Sequence, residues 1–235
     1  MALARPEGEL VGSEESLVSQ LGVSRPTLRQ AAALVAQERL IRIKRGVGGG
    51  YFAARPDSMI VARMAAIYLR SRNADLGAVS AALDPIRTEL ARQASHSADP
   101  DKRRRIEEFL EAERRIDERT LDYRMFLRSE RAFGRLLGEI GGNAVLALFL
   151  SIVYDLTALV GREQDVYVNR PERVLQYRLQ RNRMAAAILE NDEEMAVLAT
   201  KRCTAIVAQW IQEDLAGRRA APSAEGRPKR SRARS

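Results

Sequence analysis

The sequence predicts a mainly α protein: an N-terminal helix-turn-helix closed by a small β-hairpin, then an all-helical bundle. Three observations carry this prediction. Two short helical repeats, each opened by a serine, fill the stretch up to about residue 37. The period then switches to strict alternation at Ile41, Arg42, Ile43 and Lys44, ahead of a glycine run. From Arg55-Pro56-Asp57 onward only helical periodicities return, separated by short polar breaks.

Ser13 can cap a short helix that sets Leu17, Val18 and Leu21 on one face, and Gly22 ends it. Ser24 caps the next helix, where Pro26 sits in the first turn and its missing N–H costs nothing. Leu28, Ala31, Ala32 and Val35 form that helix's buried face, which leaves Arg25, Thr27, Arg29 and Gln30 for its outer side or border. After Leu40 a strand places Ile41 and Ile43 on one side and Arg42 and Lys44 on the other. The run Gly46-Val47-Gly48-Gly49-Gly50 permits a tight reversal, and Tyr51-Phe52 starts the return strand.

Among the later repeats, Leu83, Ile86, Leu90 and Ala94 mark one helix, and Ile106, Phe109, Leu110 and Ile116 another. Phe126, Phe133, Leu136, Leu137 and Ile140 mark a third, ended by Gly141-Gly142, with Asn143 able to cap its successor. Residues 145–160 are apolar nearly all round, which predicts a central helix or a dimer interface. Two more helices follow, over about 174–189 and 193–215. The predicted parts are therefore 1–56, 57–216 and a basic tail, 217–235, too poor in apolar residues to order itself.

The chain has 235 residues, 46% of them hydrophobic, and a net charge of +8 that favours a polyanionic partner. Much of the excess lies in the tail, where Glu225 is the only acid among seven arginines and lysines. One cysteine, Cys203, excludes an intrachain disulfide, and the absence of a secretory signal points to the cytoplasm. The longest apolar stretch, 144–160, is interrupted by Ser151, Asp155 and Thr157 and falls short of the ~20 residues that span a bilayer, so no membrane partner is expected.

Helix, turn, helix and basic hairpin in this order form a winged helix-turn-helix, a layout that places the second helix in the major groove of double-stranded DNA. Arg25 and Arg29, one turn apart, can grip phosphate or guanine through their forked donors, with Ser24, Thr27 and Gln30 in reach of neighbouring groups. Lys44, Arg45 and Gly48 make a wing that can approach the backbone closely. A nucleotide loop is excluded, because Tyr51 stands at the last glycine position of that motif and no Gly-Lys-Ser/Thr follows. His96, in the break between helices, is expected to be exposed, Cys203 a small core residue and Trp210 a packing anchor. With a single histidine no catalytic constellation can be assembled, so an enzyme is not expected.

The stretches Gly12-Ser13-Glu14, Leu21 through Ala31, Arg45-Gly46 and Gly50-Tyr51-Phe52 resemble the DNA-binding domain of GntR-family regulators. The helical remainder resembles the FadR-like (FCD) ligand domain. This resemblance implies a homodimer that reads a short palindrome, usually as a repressor, and that responds to a small-molecule effector. It also implies that Arg25 and Arg29 contact DNA. Two departures stand out: the family's first helix is missing or truncated ahead of Gly8, and Glu15 replaces an expected arginine. Many FCD domains hold a divalent metal with an aspartate and three histidines. Matching puts Glu130, Gly134, Arg181 and Cys203 at those positions, which predicts no metal and no cofactor. In its place the sequence offers a direct site for an anionic metabolite built on Arg181 with Arg87 or Tyr154. The alternative is an internal Arg181–Glu130 salt bridge that fills the vacated space. A different class of function, a helical scaffold or oligomerisation protein without specific DNA binding, follows if the shortened N-terminal part no longer reads sequence.

Overall fold

The computed structural model describes residues 1–160 and 165–220. The chain forms two compact units, one of Met1–Val61 and one beginning at Ala62, and each is described by itself.

In the first unit, β1 (Leu10–Gly12), α1 (Glu14–Leu21), α2 (Arg25–Gln37), β2 (Ile41–Lys44) and β3 (Gly50–Ala53) follow one another. Ser13 Oγ accepts from Ser16 N at 3.1 Å, and Gly22 closes α1 in the left-handed conformation. Ser24 Oγ accepts from Thr27 N at 3.3 Å to open α2. The strands form one antiparallel sheet in the order β1-β3-β2, with Ile41 opposite Ala53 and Lys44 opposite Gly50. The sequence predicted only the hairpin β2–β3. The third strand escaped it because three residues, Leu-Val-Gly, carry too little alternation to register as a pattern.

Leu17, Leu28, Ala32, Ile41 and Tyr51 make the small core, with Val18, Val23 and Val35 against them. Leu21, Ala31 and Ile43, expected inside, are exposed. Leu21 abuts the helix end, and Ile43 sits on a strand whose sheet buries only its first residue. The segment before β1 begins with a 3-10 turn at Ala2–Ala4. Arg55 fastens it, donating to the carbonyls of Ala2 and Leu3 at 3.2 Å each.

The second unit is helical throughout its described residues: α3 (Ser58–Ser71, which begins in the first unit), α4 (Leu76–Ser95), α5 (Pro100–Arg114), α6 (Tyr123–Gly141), α7 (Ala144–Val160), α8 (Pro171–Leu189) and α9 (Glu193–Ala220). Side-chain caps open most of them: Asp75 for α4, Asp122 for α6, Asn143 for α7 and Asp192 for α9. The central α4 packs against α6, α7, α8 and α9. Its Leu90, Ala91 and Ala94 join Phe126, Phe133, Leu137, Met184, Ile188 and Cys203 in the main core.

α7 is less enclosed than its composition predicts. Leu150, Val153 and Leu156 are buried, but Val145, Leu148 and Phe149 face outward. α9 continues to Ala220, past residue 216 where the sequence ended the helical part, and the basic tail from 221 on lies outside the described residues. No helix among the described residues is long and apolar enough to cross a membrane.

Candidate functional site

In the first unit the polar side of α2 and the turn between β2 and β3 bound a groove of about 740 Å³. Arg29, Lys44 and Arg45 line it together with Glu14, Ile43 and Tyr51 and the backbone of Gly46, Gly49 and Gly50. Gly46 (φ 90°) and Gly48 (φ 71°) hold the turn in the left-handed region. A Cβ at Gly49 would lie 2.5 Å from the Lys44 carbonyl oxygen, so the reversal needs glycine there too.

The predicted DNA-contact residues divide. Arg25, Arg29, Gln30, Lys44, Arg45 and Gly48 are solvent-facing. Ser24 and Thr27 are also exposed, but their hydroxyls are bonded to each other at 2.8 Å within the cap of α2. Arg29 is already gripped: its Nε and Nη2 donate to the two carboxylate oxygens of Glu14 at 3.0 and 2.9 Å. That two-pronged bond and the arginine's charge hold the Glu14 carboxyl below its usual range. Glu14 and Tyr51 were not among the sequence candidates.

In the second unit α4, α5, α6, α7 and α8 converge on a buried charge cluster. Arg181, with no exposed surface, donates to Glu130 Oε2 at 3.3 Å and to Glu113. Arg178 Nε donates to Glu113 Oε2 at 3.0 Å, and Ser129 Oγ donates to Oε1 of the same carboxylate at 2.5 Å. Glu130 Oε1 accepts from the hydroxyls of Tyr177 at 2.6 Å and Tyr154 at 2.9 Å. Arg87 Nη1 donates to the Tyr177 hydroxyl at 2.6 Å. The faces of Phe109 and Phe133 receive the Arg181 guanidinium at 5.1 and 5.9 Å.

Burial works against ionisation of both carboxylates, yet their partners prevail: Arg87, Arg181 and the two tyrosines at Glu130, and Arg181, Ser129 and Arg178 at Glu113. Both carboxyls are held below the ordinary range. Beside the cluster lies a cavity of about 140 Å³. Arg87, Glu130 and Tyr154 line it, whereas Arg181, the fourth sequence candidate, is outside the lining with its guanidinium taken up by the two glutamates. Cys203 also lines the cavity, fully buried, and burial pushes its thiol up to about 11. Trp210 is buried with Arg173 stacked on its ring at 5.3 Å, and His96 is exposed and 2.6 Å from Glu193.

The residues at the positions implied to bind metal do not fit one. Gly134 offers no donor atom and is covered by the Tyr154 ring, and Arg181 is itself a cation bonded to two carboxylates. Among the described residues no group of three or more His, Cys, Asp or Glu could hold a metal ion. Gly134 is required for a different reason: a Cβ there would stand 2.4 Å from Tyr154 Cε2. Gly134→Ala is therefore expected to displace Tyr154 and lower stability by about 1–3 kcal/mol, as overpacking does. Thermal denaturation reads this as a drop of several degrees, and an unchanged midpoint would show that the ring moves freely.

Comparison with known proteins agrees with this geometry. The model of the FCD domain matches residues 75–205. A solved structure described as Streptococcus agalactiae GntR superposes with a TM-score of 0.64 at 15% identity, covering 88% of this chain and 91% of that one. Another, E. coli McbR/YncC, gives 0.51 at 12% identity over 90% of each chain. No curated protein matches by sequence. With more than half of its length matched by the domain model, the chain belongs to the FCD-domain family, on the fold of the GntR regulators it resembles.

Proposed function

We propose that the chain is a ligand-responsive transcription regulator that binds double-stranded DNA. In this reading α2 enters the major groove, where Arg25, Arg29 and Gln30 reach base edges, and Lys44, Arg45 and Gly48 lay the wing along the backbone. The protein acts as a homodimeric repressor on a short palindrome. A small anionic metabolite, bound without a metal in the cavity beside Arg87, Glu130 and Tyr154, changes the spacing or mobility of the two DNA readers. The observation that carries this reading is the groove where one helix and one glycine turn bring Arg29, Lys44 and Arg45 together beside open backbone. The exposed Val145, Leu148 and Phe149 on α7 support self-association.

A gel shift on the DNA upstream of the chain's own reading frame tests it. Retardation that survives excess unrelated DNA is expected. Weak, sequence-blind retardation abolished by moderate salt would favour the scaffold reading instead.

Glu14 makes a prediction of its own. A DNA phosphate or guanine must take Arg29 from this carboxylate, which also repels the phosphate backbone. Glu14→Gln should tighten DNA binding several-fold in a fluorescence anisotropy titration at low salt. Weaker binding would mean that Glu14 serves to aim Arg29.

A further inference from the structure

Three of the five charged side chains in the buried cluster are guanidinium groups, Arg87, Arg178 and Arg181, against two carboxylates, Glu113 and Glu130. Glu113 and Glu130 satisfy Arg178 and Arg181 at hydrogen-bond distance. Arg87 is the remaining cation. Its Nη1 is held by the neutral Tyr177 hydroxyl, while its Nη2 stays 3.8 Å from the nearest Glu130 oxygen. Arg87 Nε and Nη2 have no hydrogen-bond partner among the described residues, although Arg87 is only 2% exposed.

Those two nitrogens form one edge of the guanidinium plane. The same edge grips both oxygens of a carboxylate elsewhere in this chain, in Arg29 with Glu14 and in Arg92 with Glu89. A buried, charged donor pair left unmade is costly, so an incoming acceptor gains what the fold leaves open.

The cavity lined by Arg87 is otherwise mostly apolar, with Leu76, Leu83, Phe126, Leu127 and Val207 around it. Its other charged lining residues are engaged. Glu130 is bonded as described, Arg131 lies 3.8 Å from Asp155, and Asp165 accepts from Tyr123 and from Tyr167 N. Its volume of about 140 Å³ is close to that of an apolar cavity of about 150 Å³ known to accept benzene.

We infer that the cavity is a monocarboxylate site: the open edge of Arg87 grips the carboxylate, and the apolar walls accept a body no larger than a benzene ring. This rests on the ligand-responsive reading, and it commits that reading to one charge, one size and one arginine. A neutral molecule of equal shape leaves the guanidinium edge unmade. A dicarboxylate brings a second charge into apolar walls that cannot solvate it.

Isothermal titration calorimetry on the full chain, without DNA and with EDTA present, tests it using benzoate and its neutral counterpart benzamide as probes. Benzoate is expected to bind at least tenfold tighter than benzamide. Arg87→Met should abolish that preference, and Arg87→Lys, which keeps the charge but loses the fork, should leave part of it; circular dichroism confirms that each variant is folded. Equal binding of the two probes, no binding of benzoate, or a preference that survives Arg87→Met would overturn the inference. Because no DNA is present, these outcomes are separate from failure of the regulator reading, which only DNA binding decides.

Discussion

Arg181→Ala is expected to destabilise the helical unit by about 3–5 kcal/mol, the cost of removing one partner from a buried ion pair. Two carboxylates, each less than a tenth exposed, lose their shared cation at once. The midpoint of thermal unfolding should fall by roughly 6–20 °C for a chain of this size. Neutralising the partners as well, in Arg181→Met combined with Glu113→Gln and Glu130→Gln, should recover much of the loss, because no uncompensated charge then remains buried.

The effect also has a pH signature. Both glutamates are held below their usual range in the folded protein, so their contribution is fully present above the unfolded value of about 4.3 and is lost as pH falls through the folded values. Without Arg181 the carboxylates ionise less readily and forfeit less on acidification. The gap between wild type and Arg181→Ala should therefore narrow as the pH falls below about 4.3. A constant gap from neutral to acidic pH would contradict the ion-cluster account.

The second large effect is on DNA. Arg29→Ala should weaken binding to a specific site by about 1–3 kcal/mol, or roughly 5- to 150-fold, the discrimination that one two-pronged arginine–base contact supplies. Its side chain is 67% exposed, so the fold of α2 should be unaffected. Affinity for a scrambled duplex should change far less. Lys44→Ala, by comparison, should weaken both duplexes similarly and reduce the salt dependence. If Arg29→Ala weakened both duplexes equally, Arg29 would be a phosphate anchor and not a reader of sequence.

The helix-turn-helix was legible because its limits are written in single residues with one physical use each. Ser13 and Ser24 accept the first free N–H groups, and Gly22 turns left-handed. The switch from helical to alternating period at Ile41 announced the hairpin, but β1 was too short to announce itself.

The ligand cavity was legible only in part. Arg87, Glu130 and Tyr154 came from the resemblance, and the structure sets them around one space. Glu113 was missed because α5 is crowded with charge, and a glutamate there looks solvated. A signal did exist: Glu113 stands seven residues after the buried Ile106 and three after Leu110, on the inward stripe. Tyr177, Arg178 and Arg181 likewise share a stripe with Val174, Met184 and Ile188. Charged residues in core register on two helices are what a buried ion cluster looks like in one dimension. The Glu14–Arg29 pair bridges separate helices across fifteen positions, and no local period reports that kind of pairing.

The central claim, that α2 and the wing read DNA sequence, is tested most directly by selecting bound duplexes from a random-sequence pool with the full chain at physiological salt. The account predicts enrichment of a two-fold symmetric site whose consensus weakens when Arg29→Ala is used in its place. A pool that stays random through successive rounds, while still binding, would contradict it.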